Sequence, residues 1–530
     1  MTLRLPVLFV GLLVALAAFS AINPQILGLF HDDGIYAVTA KSLAEGQGYR
    51  IISLPGDPPA QTKYPFFYST LLSLIWRISP PFPANIVFLK FLNVVTLLAI
   101  FLVSFVYYRR SSDRDRLFAP VIFAAIVCTN PLIFSYTDYV LSELLLVLLS
   151  VAMLAACRYD DDDHKVYGTI VIGVIAGTAC LTRMAALPLA LAGFLHACLN
   201  HGVRGGLWFV GIFAAMVAPW FIWVTGINEP FFRGSLFDYY VRYDLTGGQN
   251  GGFAAFADVI VGNVQYLAQS FHMLYLTSLV PGLSVVLAGI TAAGISGSRT
   301  REDAVTWSLL IFSLLALLIW PFQPTRYCLP IVPVMVLFLY RGTDRAAQWI
   351  RCRHLRAPLN IVLRKLVWAP VVLVLGLNLF WLSSFIWSRH LDTTRGLYGS
   401  RAPYSWAGFE QTFAWVRENT QPDDLLATAY DPMYFLYTGR KAIRPALHRP
   451  ATYFYPYGAA KPDVGSVAEI KPQLVGLGAK YLIIDPLEGY AERQATLQLM
   501  DEIVKSYGDQ AQLVFTSSDG LHKVFRLSTR

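Results

Sequence analysis

Apolar stretches of membrane-crossing length recur across the first 390 positions of the chain, and they constrain its fold more than any other feature. A helix needs about 20 apolar residues to cross the hydrocarbon core, where backbone amides and carbonyls find no water and must pair with one another. Eleven candidates lie near residues 5–23, 84–108, 117–136, 143–157, 166–182, 185–199, 206–225, 264–290, 304–320, 329–340 and 366–387. With 55% hydrophobic and only 14% charged residues, the composition agrees with a polytopic α-helical membrane protein and excludes a soluble enzyme of ordinary surface polarity. The apolar segment from Pro65 to Ile78 is short and ends on Arg77, so it is read as a helix lying along the membrane surface.

That reading can be tested against the excess of Lys and Arg expected in short cytoplasmic loops. With eleven spans, the loops at 109–116, 158–165, 200–205, 296–303 and 341–365 hold sixteen Lys and Arg. The longer outer loops before residue 388 hold eight, so the N-terminus is placed in the cytoplasm and the C-terminus outside it. Localisation is expected in the cell (inner) membrane. The first apolar run, with Arg4 before it, is expected to be an uncleaved anchor. The basic residues Arg351, Arg353, Arg356, Arg364 and Lys365 read as an orientation signal in contact with anionic lipids, not as a nucleic-acid site.

After Trp387 the composition turns polar, which divides the chain into a transmembrane domain, 1–387, and an extracytoplasmic α/β domain, 388–530. Helix patterns are expected over 405–419, 464–477 and 491–506, and strands over 425–429 and 481–484. Two late strands, 513–516 and 522–527, could pair across Ser517 to Gly520. The six cysteines all precede residue 388 and show no CxxC spacing, so neither a disulfide framework nor a structural zinc site is indicated.

Charged groups near spans are functional candidates because the membrane makes them expensive. On the outer side lie His31, Asp32, Asp33, Lys63, Asp138, Glu143, Arg183, Arg233, Asp238, Arg242, Asp244 and Arg326. Taken singly, each is better read as a solvated or capping residue; Asp32 and Asp33 would cap a helix starting near Gly34. Their order is more informative. The run Asp32-Asp33-Gly34-Ile35-Tyr36 is followed by Lys63-Tyr64-Pro65, then Asp138 and Glu143 in a tight loop, then Thr325-Arg326-Tyr327.

This ordered set resembles the GT-C superfamily of polyprenyl-phosphate-dependent glycosyltransferases, in the branch of protein O-mannosyltransferases and lipid A aminoarabinose transferases. The tail motifs Trp415 to Thr420, Tyr430-Asp431-Pro432 and Tyr437 to Arg440 are similar to the tails of bacterial members. The resemblance implies a polyprenyl-phosphate-linked sugar as donor, and a lipid, glycan or protein as acceptor. A phosphate leaving group departs without a proton, so such chemistry needs a base for the acceptor hydroxyl and cations for the developing charge.

By that similarity Asp32 is the base, and Asp33 positions the acceptor or raises its neighbour's pKa by like-charge repulsion. Lys63 and Arg326 hold the phosphate, with Tyr64, Asp138 and Tyr327 as further substrate contacts, and Arg183, Arg233 and Arg242 as alternatives. Glu143 is the second acid; orienting the acceptor, supporting a cation and binding a divalent metal all stay open for it. Single displacement implies inversion at the anomeric carbon.

Two tempting features are set aside. The cluster Asp160 to His164 reads as a solvated cytoplasmic loop, and Gly247 to Gly252 follows no strand and is no phosphate loop. Two competing functions remain: a lipid or glycan transporter, for which Lys90 inside a span would speak, and a glycan ligase using pyrophosphate-linked lipid.

Overall fold

The computed structural model describes residues 4–111, 118–159, 165–227, 234–241, 252–276, 282–296, 303–320, 324–352, 357–398, 404–447, 463–487 and 493–528. Asp160 to His164, Arg233, Arg242, Asp244, Gly247 to Gly251, Arg353 and Arg356 lie outside them.

The N-terminal three quarters of the chain is helical. Among the described residues, three helices are long and apolar enough to cross a membrane: Ile86–Arg109, Met184–Ile227 and Leu359–Arg395. The pair Ala119–Thr129 and Pro131–Asp138 makes a fourth if its 52° bend is counted as one broken span. Proline cannot donate to the helix ladder at this break, and the Asn130 side chain caps the new start by accepting from the Leu132 amide at 3.1 Å. The eleven spans expected from the sequence are therefore not reached by helix length and apolarity. Leu5–Ser20, Val166–Thr182, Leu283–Ser296 and Ala304–Leu318 are apolar but shorter.

The Met184–Ile227 run is interrupted. Gly202 has φ 65° and ψ −163°, a non-helical backbone that an L side chain rarely adopts. On either side of it Phe194 and Phe209 meet at 6.1 Å between ring centroids, so the two halves fold against each other. Many large side chains on these helices face outward, among them Leu207, Ile222, Val372 and Phe380. Such a surface suits hydrocarbon, where apolar groups need no water.

The segment after Pro65 forms a helix, Phe67–Ile78, as the sequence suggested. Tyr68, Leu72 and Trp76, four residues apart, are buried on one side, while Leu74 and Ile78 are exposed on the other. It packs beside the Asp32–Ala44 helix.

The last apolar helix does not stop where the polar composition begins. It runs on to Arg395 and ends on Gly396, whose left-handed backbone (φ 62°) closes the C-terminus. Beyond it lies a five-stranded sheet in the order Ala442–Ile443, Leu425–Thr428, Ala479–Ile484, Lys523–Leu527, Ala511–Thr516. The first three strands are parallel, and the last two are added antiparallel. Helices Trp406–Asn419, Asp431–Thr438, Val467–Gly476 and Arg493–Tyr507 accompany the sheet. One apolar core joins this region to the early loop: Leu27, Ile35, Tyr36 and Leu54 belong to the same buried cluster as Phe409, Leu426, Met433 and Leu482.

Candidate active site

The turn from Gly28 to Gly34 starts the Asp32–Ala44 helix and sets its two acids to different tasks. Asp33 turns inward, and its carboxylate accepts from the backbone amides of Gly28 (2.8 Å), Phe30 (3.1 Å) and Gly34 (2.9 Å). Asp33 thus ties the turn together, the capping role weighed in the sequence reading. Burial raises its carboxyl above the ordinary value against those amide bonds, and the neighbouring Asp32 adds to the rise. Any repulsion from Asp33 is outweighed at Asp32 by the cations around it.

Asp32 points the other way, into a cluster of cations. Its Oδ1 accepts from the Tyr64 hydroxyl at 2.6 Å and its Oδ2 from Nη1 of Arg326 at 2.7 Å. Burial alone would raise the Asp32 carboxyl, but Arg326, the Tyr64 hydroxyl, Lys63 and Arg183 outweigh it and hold the carboxyl well below the carboxylate range.

Arg326 reaches a second acid. Its Nε donates to Oε1 of Glu143, which also accepts from Nη1 of Arg183 at 2.6 Å. One guanidinium thus spans Asp32 and Glu143, two acids 111 positions apart in sequence. Tyr327 lies against the Arg183 guanidinium, 4.8 Å from its ring centroid. Among the described residues, Nη2 of Arg326 and Oε2 of Glu143 are buried and make no hydrogen bond. Buried polar groups are normally satisfied, so a site that leaves a donor and an acceptor uncommitted is shaped for something polar.

Lys63 sits at the edge of this cluster. Its Nζ donates to the Tyr239 carbonyl at 2.8 Å and lies 3.8 Å from the centroid of the same ring. Burial, and to a lesser degree Arg444, pulls its ammonium down to about 8 against the pull of Asp32.

Asp138 is engaged elsewhere. Its Oδ1 accepts from Nζ of Lys90 at 2.9 Å and from the Asn23 amide at 2.7 Å, and Lys90 donates further to the Asn23 carbonyl at 2.8 Å. The charge of Lys90 inside an apolar helix is thereby neutralised by an acid from the next loop. Arg389 stands 3.9 Å from the same carboxylate. This arrangement braces the start of the chain and gives Asp138 three partners that are not substrate.

Among the described residues no group of three or more His, Cys, Asp or Glu could hold a metal ion. Between Asp32 and Glu143, where a cation bridging the two acids would have to sit, the Arg326 guanidinium already does so.

Structures of known proteins share this whole architecture. ArnT from Cupriavidus metallidurans, crystallised with undecaprenyl phosphate, superposes with a TM-score of 0.57 over 98% of this chain and 97% of that one, at 13% identity. The oligosaccharyltransferase AglB from Archaeoglobus fulgidus, in complex with an inhibitory peptide and a dolichol-phosphate, gives 0.54 at 12% identity over 99% and 74%. The mycobacterial arabinofuranosyltransferase AftD gives 0.54 at 12% identity over 99% of this chain and 41% of its own. The chain shares the fold of these proteins. No family model and no curated protein matches it in sequence.

Within this shared fold, Asp32, Glu143, Tyr64, Lys63, Arg326 and Arg183, all singled out by the sequence motifs, come to one place. The motifs missed Tyr239, which carries Lys63, and the partnership between His31 and Asp431 at the base of the turn. Both are pairings between segments far apart in the chain, and neither leaves a local pattern.

Proposed function

We propose that the protein is an inverting membrane glycosyltransferase that moves a sugar from a polyprenyl-phosphate carrier to an acceptor hydroxyl. The observation that carries this reading is the Arg326 guanidinium spanning Asp32 and Glu143 with one buried nitrogen uncommitted. The fold it shares with a protein crystallised on undecaprenyl phosphate supports the choice of donor.

In this mechanism the donor phosphate approaches Arg326 and Lys63, and the spare Nη2 of Arg326 donates to a phosphate oxygen. The acceptor oxygen bonds to the anomeric carbon from the opposite face while the bond from that carbon to the phosphate oxygen breaks. Asp32 takes the hydroxyl proton, and the carrier leaves as a polyprenyl phosphate whose negative charge faces the two cations. A carboxylate held so low is a weak base. As Arg326 turns its charge towards the phosphate, Asp32 loses a principal stabilising partner, and its basicity rises when the donor is in place.

The shorter apolar helices serve as further spans in this reading, up to the eleven of the hydropathy pattern, with residues 1–387 as the catalytic membrane domain. The excess of Lys and Arg in the loops at 109–116, 158–165, 200–205, 296–303 and 341–365 supports a site and a 388–530 domain on the outer face of the inner membrane. The sheet domain packs onto the turn that carries Asp32, which suits a part in forming the site or choosing the acceptor.

The test is to incubate the purified protein with a panel of polyprenyl-phosphate sugars and acceptors and to measure released polyprenyl monophosphate. Release by the wild type and its loss in Asp32→Asn, with the variant still folded and inserted, supports the assignment. A transporter releases none, and a ligase, supplied with its pyrophosphate-linked donor, releases polyprenyl pyrophosphate.

A further inference from the structure

The turn that presents Asp32 is built against the far end of the chain. His31, the residue before Asp32, has φ 60° and ψ −53°, a backbone that L residues other than glycine rarely adopt and that must be held by its surroundings. Its ring nitrogen Nε2 lies 2.8 Å from Oδ1 of Asp431, and both side chains are almost fully buried. The ring is packed edge-on against Tyr239 at 4.9 Å, and Tyr239 in turn carries the Lys63 ammonium on its face.

The helix that Asp431 begins, Asp431–Thr438, lies directly on the same turn. Gly28 (φ 101°) and Gly34 leave no space there: a Cβ on Gly28 would stand 2.7 Å from Cβ of Met433, and one on Gly34 would stand 2.8 Å from Cβ of Pro432. At the other end of the helix the Tyr437 hydroxyl lies against the Leu27 amide at 3.2 Å and the Gln25 carbonyl. Nearby, the Ala442 amide donates to the Ser53 carbonyl at 2.9 Å.

We infer that Asp431 is a positioning residue for the transfer reaction: through His31 it holds the Gly28–Gly34 turn in the strained form that aims the Asp32 carboxylate at Arg326 and Tyr64. Asp33 fixes the turn from within, and Asp431 fixes it from the sheet domain. The C-terminal region is then part of the catalytic machinery and not only a cover over it. Asp431 touches no reacting atom; its effect is on where the base stands. This inference rests on the glycosyltransferase reading for its kinetic consequence, but not for its structural one.

Asp431→Ala removes the anchor. Its kcat is expected to fall by about 100-fold, the size of loss that a displacement of about 1 Å produces. The KM for the donor, and the affinity for undecaprenyl phosphate itself, should stay within about twofold because Lys63 and Arg326 both remain and each keeps a partner of its own, the Tyr239 carbonyl and Glu143. Asp431→Asn, whose amide oxygen can still accept from the His31 ring, should recover most of the lost turnover.

Wild-type kcat in Asp431→Ala overturns the proposal. So does a parallel loss of kcat, undecaprenyl phosphate affinity and Tm that Asp431→Asn does not restore, since that describes a prop for the fold and nothing more. A cryo-EM structure of Asp431→Ala reads the same question without any turnover: Asp32 should leave Arg326 and Tyr64, and its remaining there would refute the inference. If the wild type releases no polyprenyl phosphate from any donor, the glycosyltransferase reading fails, and that structure still decides the positioning role.

Discussion

Nη1 of Arg326 lies 2.7 Å from Oδ2 of Asp32, although the two residues are 294 positions apart. The same guanidinium holds Glu143, so a cation expected to meet the donor phosphate is committed to two acids when no donor is present. Arg326→Lys puts this to the test. An ammonium is a point charge on a flexible stem and cannot span both carboxylates. Turnover should fall by roughly 100- to 1,000-fold, as when a transition-state donor is removed. The measurement is release of polyprenyl phosphate under single-turnover conditions.

Glu143 separates stability from chemistry. It is 3% exposed and neutralises both Arg183 and Arg326. Glu143→Gln removes the negative charge shared by Arg183 and Arg326, and the loss of one member of a buried ion pair should cost about 3–5 kcal/mol. A thermal-shift assay in detergent should show a clear fall in Tm. Tyr64→Phe, which removes one hydroxyl from Asp32 and no charge, should leave Tm near the wild-type value while lowering kcat.

Lys63 predicts a pH dependence of carrier binding. Its ammonium sits at about 8, below the ordinary value for lysine, chiefly because it is buried. A phosphate monoester is already fully ionised there, its second pKa being about 6. As pH rises through about 8 the empty site therefore loses one positive charge and the ligand changes nothing. Undecaprenyl phosphate should bind more weakly at pH 9 than at pH 7. In Lys63→Arg, whose guanidinium does not deprotonate, titration calorimetry should show a flat profile over that range.

The contact between the Asp32 turn and the Asp431–Thr438 helix can be weighed with glycines. Gly28 and Gly46 both have positive φ, but a Cβ on Gly28 meets Met433 while one on Gly46 meets nothing within 4 Å. Gly46→Ala should therefore pay only backbone strain, on the order of 1 kcal/mol. Gly28→Ala adds overpacking of about 1–3 kcal/mol. Guanidinium or heat denaturation followed by tryptophan fluorescence should order the two variants accordingly, with Gly28→Ala the less stable.

Local pattern carried the sequence reading as far as local forces act. The helix expected over 405–419 forms as Trp406–Asn419, and the strands around Leu425 and Tyr481 form where β-branched and apolar residues run unbroken. The hairpin across Ser517 to Gly520 forms as well, with the Gly520 amide donating to the Ser517 carbonyl. The helix Ala369–Arg395 outlasts its apolar stretch because Arg389, His390 and Asp392 can extend a helix as readily as a loop, and only the left-handed Gly396 ends it.

At the site, the acids were legible as a group but not their tasks. Asp32 and Asp33 are indistinguishable by type; only the fold shows that one faces backbone amides and the other faces Arg326. Asp138 lies in the same tight loop as Glu143, and what diverts it is Lys90, buried on another helix. Such ion pairs are set by tertiary approach, and a single sequence carries no mark of them.

The bond between His31 and Asp431 closes a loop of 400 residues. During synthesis, that turn therefore has only Asp33 to hold it until Asp431 has followed it out of the ribosome. A nascent or prematurely terminated chain can insert its early helices yet lacks the brace from the sheet region, so ripening of the site is deferred until that segment is made.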